Sequence, residues 1–150
     1  MTVAVFFPIS NFFILPFWFL MIVLPHWHWT RRIIQSPLIA IAPALVYTFL
    51  VIPRLLQLWP ILISPDISVL AAQLGTPVGA LIAWAHFQAF DLIGGRWAYL
   101  DSRERRIPAW FMVPILFLLL MFGPIGFLLY LCVQIFYPLQ QQQPATVTST

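Results

Sequence analysis

A carboxyl and an imidazole stand close together in the middle of an apolar run, Asp91 and His86 within Trp84-Ala85-His86-Phe87-Gln88-Ala89-Phe90-Asp91-Leu92-Ile93-Gly94-Gly95-Arg96-Trp97. An ionisable group at the centre of a spanning helix costs about 2.5 to 3.5 kcal/mol on insertion scales, so a carboxyl there needs a partner, water or a proton. A carboxyl that keeps its proton is a general acid, and a neutral imidazole is a general base. At about 100° per residue, Trp84, Gln88, Asp91 and Gly95 share one helical face, while His86 lies about 140° round from Asp91. The two cannot touch on their own helix, but they can flank a cavity made with neighbouring helices. Leu81, Ala85, Ala89 and Leu92 form the remaining side, expected to face lipid, and Arg96 leans toward the interface, where its stem can snorkel.

Helix-breaking residues recur at a similar depth in the other apolar runs: Asn11 and Pro16, then Pro43, then Gly123-Pro124-Ile125-Gly126. An interior proline frees a carbonyl about one turn earlier, and a freed carbonyl inside a bilayer needs a donor. Asn11, Gln88 and a protonated His86 or Asp91 are the available donors, and the glycines allow close backbone approach or leave room for a ligand. The competing reading is structural: proline and glycine are common in spanning helices, Asn11 and Gln88 can bond helix to helix, and Asp91 can pair with Arg96 or His86. His26 and His28, between tryptophans, read as interfacial rather than metal-binding. A single cysteine, Cys132, leaves no intrachain disulfide, and with three histidines no usual zinc cage or histidine-rich di-iron centre is expected. No phosphate cradle, Walker sequence or serine elbow is present. No metal and no cofactor is implied.

The elements that must hold these residues follow from composition. Of the 150 residues, 62% are hydrophobic and 7% charged, against roughly 45–50% and 25% in soluble domains. So few charges cannot coat a surface in water, so the +3 net charge is no nucleic-acid signal. An all-α integral membrane protein is expected, solvated by membrane lipid. A span needs about 20 apolar residues, and four runs qualify: about 3–24, 37–58, 77–100 and 108–130. Arg31, Arg32, Arg103, Arg105 and Arg106 fall in the two loops that four spans place on one side, whereas only Arg54 falls opposite, which predicts a four-transmembrane-helix bundle with both termini non-cytoplasmic. Between spans two and three, Ser64-Pro65-Asp66 starts a short interfacial helix with Ile67, Leu70, Ala71 and Leu74 on one face and Gly75 at its end. Thr76-Pro77 caps the third span. Residues 1–137 make one transmembrane domain, and 138–150 an uncharged polar tail expected to be disordered.

Asn11, Pro16-Phe17-Trp18, Pro25, Thr30-Arg31-Arg32, Ser36, His86, Asp91-Leu92, Gly95-Arg96-Trp97, Asp101 and Phe122-Gly123-Pro124-Ile125-Gly126 resemble the ABA-deficient-four-like family over nearly the whole chain apart from the tail. Plant members of that family are chloroplast membrane proteins required to make neoxanthin, an allenic carotenoid, from violaxanthin, a carotenoid epoxide. No Ser- and Arg-rich transit segment precedes the first run, and Gly95-Arg96-Trp97 resembles bacterial members, so a bacterial or cyanobacterial relative in a plasma membrane or thylakoid is expected. The resemblance implies an isomerase for a carotenoid epoxide, working by acid and base without a redox partner. Asp91 would be the acid and His86 the base, with Asn11, Trp84, Gln88, Arg96, Gly123 and Gly126 binding substrate. The alternative is a non-catalytic subunit that binds pigment or assists assembly, as a homo-oligomer or within a larger membrane complex.

Overall fold

In a computed structural model, which describes residues 2–139, every regular element is helical. Helix α1 (Thr2–Val23) runs unbroken through Pro8 and Pro16, since neighbouring helices in an apolar bundle supply the packing that propensity withholds. A tight turn leads to α2 (His28–Gln35), which buries Thr30 and Ile34 and exposes Arg31 and Arg32. The next segment is helical from end to end: a 3₁₀ turn (Pro37–Ala40), α3 (Ile41–Val51), a second 3₁₀ turn (Ile52–Arg54) and α4 (Leu55–Ile63). Its irregularities lie at Pro37 and Pro53, each opening a 3₁₀ turn, rather than at Pro43, which sits inside α3 and is buried.

Helix α5 (Ile67–Leu74) is capped by Asp66, whose carboxyl accepts from the amides of Ser68 and Val69. It meets α6 (Pro77–Glu104) at 94°. The Thr76 hydroxyl accepts from the Gly79 amide, giving α6 its predicted start. Helix α6 then runs to Glu104, past the expected end near Leu100.

Three segments pack side by side with alternating sense. Asn11 of α1 meets Gln88 of α6, Trp18 covers Gly95, and the Tyr99 hydroxyl donates to the Pro25 carbonyl at 2.9 Å. Helices α1 and α6 are therefore parallel. Tyr47 lies beside His86 while Arg96 reaches the carbonyls of Ile34 and Gln35, so α3 runs opposite to α6. Arg31, Arg32 and Arg103 to Arg106 thus share one end of the bundle. Leu81, Ala85, Ala89 and Leu92 are 2%, 2%, 7% and 0% exposed. The stripe expected to face lipid is the packing face, because small residues let helices approach closely in an apolar solvent.

The last apolar run departs most from expectation. Instead of one fourth span, α7 (Ala109–Phe122) and α8 (Pro124–Ile135) form an antiparallel hairpin. Gly123 makes the turn with φ 29° and ψ −87°, a conformation strained for residues with a side chain. A Cβ on Gly126 would lie 2.1 Å from the Leu119 nitrogen, so only glycine lets the two backbones meet there. Along α6 the contacts run from Gly123 beside Asp91, through Phe127 and Tyr130 beside Trp97, to Tyr137 beside Arg105. Helix α8 therefore descends parallel to α6. The Tyr130 hydroxyl donates to Asp101, and Arg105 donates to both Asp101, at 2.6 Å, and the Tyr137 carbonyl, at 3.0 Å. These bonds bring the last described residues back to the end where α7 begins and lend no support to the expected placement of both termini on one side.

Two helical segments, Val3–Val23 and Pro37–Ile63, are each long and apolar enough to cross a membrane, and α5 with α6 adds a third when the bent pair is taken as one span. Among the described residues the chain is thus all-helical, with two to three segments that are long and apolar enough to cross a membrane. Of the tail, residues 140–150 lie outside the described residues.

Candidate functional site

The hairpin tip closes one side of a groove of about 770 Å³ between α1, α6 and the α7–α8 turn. Helix α1 contributes Asn11, Ile14 and Trp18, α6 contributes Trp84, Gln88 and Asp91, and the tip contributes Phe122, Gly123 and Pro124. Most of the wall is hydrocarbon or aromatic. A few polar groups converge on a largely apolar hollow, as in sites for small apolar ligands.

Asp91 is partly buried, and its carboxyl lies against the tip: a Cβ on Gly123 would stand 2.4 Å from Oδ1. Among the described residues its carboxyl takes no ion pair and no hydrogen bond. Arg96, one of the partners expected for it, is committed elsewhere. Its Nε donates to the Ile34 carbonyl at 2.8 Å and its Nη2 to the Gln35 carbonyl at 2.5 Å. Those oxygens belong to the C-terminal turn of α2, where backbone carbonyls lack helical partners and a cation is favoured. Arg96 is accordingly off the groove and fastens α2 to α6.

His86 also borders the groove. Its ring, however, is exposed and lies 4.8 Å from the Phe90 ring and 5.3 Å from that of Tyr47, on the side of α6 that meets α3. The angular separation read from the sequence is preserved: acid and imidazole bound one hollow from different faces of α6, without contact.

Asn11, Trp84 and Gln88 do come together. Asn11 Oδ1 accepts from Gln88 Nε2 at 2.5 Å and from Trp84 Nε1 at 3.3 Å, while its Nδ2 donates to the Phe7 carbonyl at 2.9 Å. Asn11 Oδ1 has both its acceptor positions filled by these bonds, which tie α1 to α6 at the groove wall. Gly123 lies in the wall, whereas Gly126 is turned into the α7–α8 contact and serves the hairpin.

Two further contacts shape the site. Trp18 is 1% exposed and floors the groove, and a Cβ on Gly95 would come within 2.4 Å of its ring. Gly95 falls on the Asp91 face, the available signal that something large rests there. The clamp of Asp101, Arg105 and Tyr130 holds the hairpin, and through it the tip, against Asp91. Its spacing of i, i+4 between Asp101 and Arg105 was visible, but Tyr130 comes from a different helix.

A family model described as ABA DEFICIENT 4-like matches residues 5–130. That range includes the groove and the Asp101–Arg105–Tyr130 clamp. Comparison with curated proteins and with solved structures gives no match.

Proposed function

The chain belongs to the ABA DEFICIENT 4-like family, and from that premise we propose that it is a multi-pass membrane protein, of the bacterial type, that isomerises a carotenoid epoxide taken from the bilayer. The observation that carries this reading is the unpaired carboxyl of Asp91 in an apolar groove of about 770 Å³. A carboxyl without partners has its proton free for a ligand, and apolar walls suit a long hydrocarbon guest. Asp91 protonates the epoxide oxygen as one carbon–oxygen bond breaks toward it. A base removes a proton from the adjacent chain carbon, and the released C–H pair forms the second double bond of an allene. Atoms and electrons balance with no redox partner, and the product is an allenic alcohol. His86, on the same groove, is the base in this scheme. Asn11, Trp84 and Gln88 build the polar wall, and Gly123 leaves room for the acid.

Because the His86 ring lies against Tyr47 and Phe90 rather than beside Asp91, a second reading stands next to the first: the groove holds a pigment without converting it. Purified protein in lipid vesicles, supplied with violaxanthin, separates the two. The isomerase reading expects an allenic product from the wild type and none from Asp91→Asn, with both proteins melting alike. Pigment retained unchanged by the wild type supports the binding role, and undiminished turnover by Asp91→Asn removes Asp91 from the chemistry.

A further inference from the structure

The polar wall of the groove has one acceptor left over. Asn11 can be oriented in only one way: Trp84 Nε1 is a donor and needs Oδ1, while the Phe7 carbonyl is an acceptor and needs Nδ2. With Asn11 Oδ1 so placed, Gln88 must present Nε2 to it, as observed. The orientation of Gln88 is thereby fixed, and its Oε1 is buried with no hydrogen-bond partner. A carbonyl oxygen closed off from water and left unpaired is costly, and no donor among the described residues bonds to it. Asp91, one turn further along the same face, makes no hydrogen bond to it.

We propose that Gln88 Oε1 is a specificity determinant that accepts a hydrogen bond from a hydroxyl on the end group of the bound polyene, so that the groove selects hydroxylated carotenoids over their hydrocarbon counterparts. The inference rests on the reading of the groove as a carotenoid site and adds the group that is recognised. The hydroxyl arrives with the ligand, whose end group parts the apolar side chains over the oxygen. Trp84 and Asn11 act at one remove, as positioning residues that hold the Gln88 amide with its oxygen free. This logic favours an O–H donor specifically, since an ether or keto oxygen at the same place would set acceptor against acceptor.

The test is retention of pigment by the full chain in nanodiscs loaded with equal amounts of zeaxanthin and β-carotene, which share a skeleton and differ by two hydroxyls. One hydrogen bond to a buried acceptor predicts about a tenfold preference of the wild type for zeaxanthin. Gln88→Met should lose the preference and retain the two pigments in equal proportion. Zeaxanthin dimethyl ether, tested on the wild type, should bind no better than β-carotene; this arm needs no variant to fold. Equal binding of the ether and the diol, or a preference that survives in Gln88→Met, overturns the inference and leaves the carotenoid reading intact. Retention of none of these pigments by the wild type overturns both.

Discussion

Replacing Gly123 by alanine tests the contact on which the groove depends. At φ 29° the backbone of residue 123 is strained for a side chain, which costs about 1–3 kcal/mol. The added Cβ would also stand 2.4 Å from Asp91 Oδ1 and 3.2 Å from its Cγ, and overpacking of this kind adds about 1–3 kcal/mol. Gly123→Ala alone should therefore destabilise the chain by about 2–6 kcal/mol. In an Asp91→Ala background the obstructing carboxyl is gone, and only the backbone part should remain. The coupling between the two sites is then about 1–3 kcal/mol, or roughly 2–12 °C in melting midpoint for a chain of this size. Far-UV circular dichroism of the four proteins in one detergent reads the cycle. Additive effects would refute the placement of the hairpin tip on Asp91.

Other consequences follow from the same contacts. Gly95→Ala should cost about 1–3 kcal/mol by overpacking against Trp18, and Trp18→Phe in the same chain should recover part of it; a loss in melting temperature that Trp18→Phe leaves untouched would contradict the seating of Trp18 on Gly95. Tyr130→Phe removes a hydrogen bond to a carboxylate, worth about 1.5–3 kcal/mol, so amide exchange in the last turn of α8 should rise while α1 is unaffected. The Ser68 hydroxyl, followed by the amides of Val69 and Ser68, holds the Asp66 carboxyl below its ordinary value of 3.8. A depressed group contributes stability above its unfolded value and loses it as pH falls through the folded value. Protection of the Ser68 and Val69 amides should thus vanish only on acidification below the ordinary carboxylate range, and protection that is insensitive to pH there would argue against the cap.

Much of the scaffold was legible because local chemistry dictated it. Asp66 before Ile67 and Thr76 before Pro77 are side-chain caps whose partners lie within three residues, and both helices begin where those residues predict. The arginine-bearing turns share one end of the bundle, as the charge asymmetry implied. What escaped was tertiary. Gly123-Pro124 reads equally as a kink in one span or as the turn of a hairpin; the difference is made by Gly126 against the Leu119 backbone and by Tyr130 on Asp101, contacts that no local pattern encodes. The fate of Leu81, Ala85, Ala89 and Leu92 was hidden for a related reason. In lipid an apolar face can turn outward or inward at similar cost, and the two alanines, rather than hydrophobicity, were the usable sign of packing. Within the site, the angle between Asp91 and His86 was fixed by helical geometry, and the pairing of Asn11 with Gln88 followed from their need for helix-to-helix partners, to which the structure adds Trp84. The destination of Arg96 depended on α2, a short helix whose Thr30 and Ile34 spacing was its only trace.

The α7–α8 hairpin carries the tip to Asp91 and returns the chain to the end of the bundle it left. Single cysteines at Arg106 and at Leu139, each in a Cys132→Ser background, can be labelled with an impermeant maleimide in sealed vesicles of uniform orientation. The hairpin predicts that both positions react from the same side of the membrane. Labelling of Arg106→Cys and Leu139→Cys from opposite sides would make the last run a true span and take the floor from the proposed site.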